Sequence, residues 1–120
     1  TVTGCGLYER PAGETAWPYH DELSREECVI VVEGEVVVRT PGGDRPLRAG
    51  DALCFPLGEE GAHQVRNDSG AAARFLMPSS WAGDGFVAIR PDSNTAIIVG
   101  PGFRRIVPLD EDFGYWEREP

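Results

Sequence analysis

Turn-forming residues interrupt this chain at intervals of about ten residues, and that spacing constrains the fold more than any other feature. Arg10-Pro11-Ala12-Gly13, Glu33-Gly34-Glu35, Pro41-Gly42-Gly43-Asp44, Ala49-Gly50-Asp51 and Asn67-Asp68-Ser69-Gly70 separate short runs rich in Val, Ile, Phe and Ala. The 15 Gly and 10 Pro are poor helix formers and supply the backbone angles of tight turns. No apolar stripe of 3.6-residue period reaches helical length. The runs predict strands over 6–9, 15–22, 28–32, 36–40, 45–48, 52–55, 62–66, 72–77, 86–89 and 95–99, with 78–84 as a loop. Residues 28–32 are apolar throughout, as in a strand buried on both faces. Pro18 predicts an extended residue before it.

Nine or so short strands with turns between them make an all-β sandwich or barrel. With 120 residues and 41% of them hydrophobic, the chain suits one compact domain. The expected boundaries are 1–109 for the barrel and 110–120 for an acidic tail carrying Tyr115 and Trp116, which either docks or stays loose.

Twenty acidic residues against eleven basic ones give a net charge of −9, and every basic residue is Arg. Without Lys, a side-chain Schiff base is excluded. The negative charge disfavours binding to nucleic acid and to anionic lipid. No apolar run reaches membrane-spanning length, and no signal-peptide pattern is visible. Cys5, Cys28 and Cys54 are odd in number and widely spaced, which does not read as a disulfide framework. Cys28 and Cys54 sit in apolar runs and read as small hydrophobes, so a reducing compartment, the cytoplasm, is expected. No Gly-x-Ser-x-Gly elbow is present.

Both histidines fall in polar clusters that strand geometry can bring together. His20 and Glu22 are two residues apart and share a strand face. Glu27 opens the next apolar run, and His63 comes from a later strand. Imidazole and carboxylate together suit a divalent first-row metal. Gly34, Gly50 and Gly58 read as turn glycines, Pro56 as a strand stop, and Asn67 as a turn cap. Trp17, Tyr19, Phe55, Phe75 and Met77 divide between barrel lining and outer packing, and Gln64 and Arg66 face away from His63.

The pattern His20-x-Glu22-x4-Glu27-x6-Gly34 resembles the first cupin motif, with Glu22 where that motif has a second His. Gly50-Asp51-x4-Pro56-x-Gly58-x4-His63-x3-Asn67 resembles the second motif, with two extra residues before its His. Trp17-Pro18-Tyr19-His20, Gly61-Ala62-His63-Gln64, Pro91-Asp92-Ser93 and Tyr115-Trp116 resemble a branch of small bacterial cupins. The resemblance implies a double-stranded β-helix barrel (a jelly-roll-like fold) whose first strand is short or missing here. It implies a homodimer, a small-molecule ligand in the barrel, and a divalent metal held by His20, Glu22, Glu27 and His63.

Mn and Fe(II) fit this donor set, with Zn and Ni as further candidates. Glu22 either ligates, points away to leave a two-His-one-carboxylate site, or acts as a general base beside the metal. The reaction stays open among dioxygenase, isomerase and lyase types. A ligand-binding sensor without turnover and a structural cupin without metal are the alternatives.

Overall fold

A computed structural model describes residues 3–80 and 85–120, with the side chain of Thr3 excepted. Eleven strands run in chain order among the described residues: β1 (Thr3–Arg10), β2 (Thr15–Glu22), β3 (Glu27–Glu33), β4 (Glu35–Thr40), β5 (Gly43–Arg48), β6 (Ala52–Phe55), β7 (His63–Arg66), β8 (Ala73–Ser80), β9 (Phe86–Arg90), β10 (Thr95–Gly100) and β11 (Phe103–Pro108). One 3-10 turn, Glu59–Gly61, precedes β7.

The strands form two antiparallel sheets. The smaller has the order β1-β8-β3-β6 and the larger β11-β10-β9-β2-β7-β4-β5. Neighbours distant in sequence pair in both sheets, as the jelly-roll-like barrel requires. The all-β expectation is met.

The core lies between the sheets. Val29 and Val31 of β3, Val36 and Val38 of β4, Val65 of β7 and Phe75 of β8 are its most buried members. Each pair is two residues apart, so each strand buries one face. That corrects the reading of 28–32 as buried on both faces: Val32 is 49% exposed and Ile30 half-buried. β3 belongs to a sheet with one inner face, so its continuous apolar run does not reflect two-sided burial.

Four further expectations change. β1 is eight residues long and pairs along its whole length with β8 from Thr3↔Ser80 to Arg10↔Ala73, so the first described strand is not short. β8 continues through Pro78 to Ser80; the rest of the expected 78–84 loop, residues 81–84, lies outside the described residues. β11 is a strand the sequence reading did not assign, because Arg104 and Arg105 interrupt its alternation. Cys28 and Cys54 face each other in the β3–β6 register and form a disulfide, while Cys5 is free and exposed. Cys54 is itself exposed rather than a core residue. The spacing of 26 residues hides a pairing that sheet register creates, and the disulfide removes the cysteine argument for a reducing compartment.

Gly34, Gly50 and Gly58 have φ of 78°, 94° and 81°, as turn glycines should. Asn67 is buried and holds a turn together. Its amide donates to the carbonyls of Arg10 and Ala71, and its side-chain oxygen accepts from the amide and hydroxyl of Ser69. The turn at Pro91–Asn94 is tied to β4 by Arg39, which donates to both oxygens of Asp92 at 2.6 and 2.9 Å and stacks over Tyr19. Residues 110–120 carry no strand and are exposed throughout. No helix among the described residues is long and apolar enough to cross a membrane.

Candidate metal centre

An irregular stretch in β2 sets the position of His20. The β2–β7 register pairs Ala16 with Val65 and then His20 with His63, so four residues on β2 span two on β7. The surplus falls at Trp17-Pro18-Tyr19, where Trp17 has φ of 52°. This differs from the extended conformation expected before Pro18. A bulge accepts Pro because no ladder amide is needed there. Its freed carbonyls find other donors: Gln64 Nε2 donates to Trp17 O at 3.0 Å, and His20 Nδ1 donates to Pro18 O at 2.9 Å. The bulge therefore puts His20 opposite His63 and also orients its ring.

His63 is aimed in the same way. Its Nδ1 donates to Gly61 O at 2.7 Å, and its ring stacks on Phe55 with centroids 3.6 Å apart. Gly61 is itself required by close approach, because a Cβ there would lie 1.7 Å from Pro56 O. Glu27 enters from β3, where it pairs with Phe55 of β6.

Both rings thus present Nε2 to Glu27. Oε2 of Glu27 lies 3.0 Å from His63 Nε2 and 3.8 Å from His20 Nε2. One ligand atom from each of His20, Glu27 and His63 falls within 4.8 Å of the other two, a group that could hold a metal ion. The donor chemistry fits a divalent ion. Each Nδ1–H is committed to a carbonyl, so each Nε2 carries the lone pair that a metal takes. Two lone pairs and a carboxylate converging on one point require a cation or protons between them.

The electrostatics show the same demand. Burial opposes a charge on His20, yet the Glu22 and Glu27 carboxylates 3.6 and 3.8 Å away outweigh it and raise its pKa from 6.5 to about 10. Burial alone would push Glu27 up, but the neighbouring rings of His20 and His63, the latter hydrogen-bonded to it, hold its carboxyl well below the ordinary range.

Glu22 lies beside the group of three. Its Oε1 is 3.6 Å from His20 Nε2 and accepts from Arg25 Nη2 at 3.0 Å. Its Oε2 is buried and has no hydrogen-bond partner among the described residues. Arg25 also lies 3.6 Å from Glu27 Oε1 and packs 4.0 Å over the Phe86 ring. Asp21, between the two site residues of β2, is almost fully buried; burial raises its pKa, and neither oxygen has a partner among the described residues.

A cavity of about 490 Å3 opens beside the group, lined by His20, Glu22 and Glu27 and by apolar side chains that include Trp17, Met77 and Phe86. Gln64 and Arg66 point away from the core, since β7 alternates buried His63 and Val65 with half-buried Gln64 and Arg66.

The sequence reading placed the two histidines and Glu27 but not the residues that position them. Among these are Arg25 and also Phe55, which entered there only as packing. A pairing register would have revealed Phe55, since it sets that ring beside Glu27; Arg25 lies in the turn between β2 and β3, outside any register.

Comparison with known proteins agrees with this fold. The Cupin domain family matches residues 6–78, more than half of the chain. No curated protein matches it. Among solved structures, a sugar phosphate isomerase of the cupin superfamily from Silicibacter pomeroyi superposes with a TM-score of 0.85 at 23% identity, covering 98% of this chain and 74% of the other. A provisional sugar phosphate isomerase from Acidithiobacillus ferrooxidans gives 0.84 at 22% identity, covering 95% and 72%. A cupin protein from Bacteroides fragilis gives 0.60 at 25% identity, covering 69% of each chain. The family match spans both polar clusters, and the chain belongs to the cupin family.

Proposed function

We propose that this chain is a metal-dependent cupin enzyme acting on a small oxygenated organic molecule in the barrel cavity. The carrying observation is the convergence of His20 Nε2, His63 Nε2 and Glu27 Oε2, with both Nδ1 atoms committed to backbone carbonyls. His20, Glu27 and His63 would hold the ion, which would supply Lewis acidity toward a substrate oxygen. A three-ligand set leaves coordination positions for substrate.

Glu22 is the general base of this reading. Its carboxylate borders the cavity, and Arg25 holds Oε1 in place. Trp17, Met77 and Phe86 give the cavity wall beside it an apolar part. Removal of a proton from a carbon next to a carbonyl is the step these residues fit. That two fold neighbours are named sugar phosphate isomerases supports an isomerisation.

Protein reloaded with Mn, Fe(II), Ni or Zn and incubated in deuterated water with hydroxy-aldehydes and hydroxy-ketones tests this. Deuterium incorporation at the carbon next to the carbonyl, lost in Glu22→Gln while metal binding is retained, is the expected result. Incorporation unchanged in Glu22→Gln contradicts the role of Glu22. Tenfold weaker metal binding in that variant would make it a ligand instead.

We also propose a homodimer. The larger sheet overhangs the smaller one at β10–β11, where Phe103 and Ile106 are 49% and 42% exposed. The radius of gyration is 16.1 Å, against about 14 Å for a compact domain of this length. An arm of this kind is suited to packing against a second copy.

A further inference from the structure

The cavity beside the centre carries positive charge that the proposed chemistry does not use. Arg90 and Arg104 line it together with His20, Glu22 and Glu27. Sheet register explains their arrival there. Glu22 pairs with Ala88, Ala88 with Ile97, and Ile97 with Ile106, so these four share one face. Arg90 is two residues from Ala88 and Arg104 two from Ile106, which puts both arginines on that face too. Strand spacings set their Cα atoms about 16 Å apart. Two extended arginine side chains can close on one small oxyanion across that gap.

Neither charge is matched among the described residues. The chain has 20 acidic residues for 11 arginines. Arg25, Arg39, Arg66 and Arg74 each pair with carboxylates. Among the described residues Arg90 and Arg104 form no ion pair. Arg90 is nevertheless oriented: its Nε donates to Thr95 Oγ1 at 2.9 Å, and that hydroxyl is shared with Ser93 Oγ at 2.6 Å. This fixes the guanidinium plane and leaves both terminal nitrogens without a partner among the described residues. A guanidinium fork matches phosphate and carboxylate oxygens geometrically as well as in charge. Arg25 does not add to this charge, because Glu22 and Glu27 already balance it.

We propose that Arg90 and Arg104 form the subsite for an oxyanion group, phosphate or carboxylate, on the substrate. The molecule taken is then a small organic anion, held by its charged end at β9 and β11 with its oxygenated carbon at the His20–Glu27–His63 centre. The placement of the reacting end rests on the function proposed above; the anion subsite does not need the metal.

Calorimetric titration of the full chain, as purified and after chelator treatment, with glycerol 3-phosphate, glycerate and glycerol tests the proposal. At least one charged ligand should bind tenfold or more tighter than glycerol. The variant R90Q/R104Q should lose tenfold or more of that binding, with metal uptake and melting temperature unchanged. A preference for glycerol 3-phosphate assigns a phosphate, and a preference for glycerate a carboxylate. Should the double variant fold poorly, R104Q alone, at an exposed position on an edge strand, must still weaken binding. Charged ligands that bind no better than glycerol, or equally well to folded variants, overturn the subsite. Anion binding that survives in protein unable to take up metal would overturn the metal-dependent function and leave the subsite standing.

Discussion

The ring of His20 is held by the backbone that carries it, and its charge by the carboxylates it faces. In metal-free protein its folded pKa, about 10, lies above the ordinary 6.5. The stability this contributes is complete below about pH 6.5 and is lost as pH rises through about 10. The melting temperature of chelator-treated protein should therefore exceed that of chelator-treated His20→Gln most near pH 6, with the gap closing toward pH 10. A gap that widens with pH would contradict the sign.

Asn67 gives a second residue-scale prediction. Its side chain satisfies two carbonyls and one amide across a buried turn. Asn67→Ala should cost about 2–3 kcal/mol in a denaturant titration. Asn67→Asp should also destabilise, since an acid cannot make both donations; a neutral result would mean that water replaces the lost partners. His20, Glu27, His63 and Asn67 were legible as residues because their spacing is characteristic. The orientation of the two rings was not, because it depends on the carbonyls of Pro18 and Gly61. Those atoms belong to a bulge and a crowded turn that no residue pattern announces.

At the scale of elements, alternation located the strands and misjudged their surroundings. β4 and β7 read correctly because Val36 and Val38, and His63 and Val65, mark one face. β3 misled because Ile30 and Val32 on its outer face are as apolar as its core residues. β11 was missed because its two central arginines look like a loop, although one of them serves the cavity. Pairing across sheets is the least visible property of all, and the Cys28–Cys54 pair is its clearest consequence. Thiol titration of unfolded protein should find one reactive thiol per chain, Cys5, before reduction and all three after it. Three before reduction would contradict the pairing.

For the whole molecule, the two sheets meet over a core of branched aliphatic side chains, and the metal group sits where both sheets contribute. β2 and β7 of the larger sheet supply the histidines, and β3 of the smaller supplies Glu27. The long axis of 57 Å and the overhanging β10–β11 hairpin predict a dimer by light scattering. Phe103→Asp should shift it to monomer; a wild-type monomer at all concentrations would contradict the assembly.

A divalent ion on His20, Glu27 and His63 would be found by elemental analysis of untagged, chelator-free protein. The expected content is about one ion per chain, with binding lost in His63→Ala and in Glu27→Ala. A metal content near zero that Mn, Fe(II), Ni and Zn all fail to restore would contradict it.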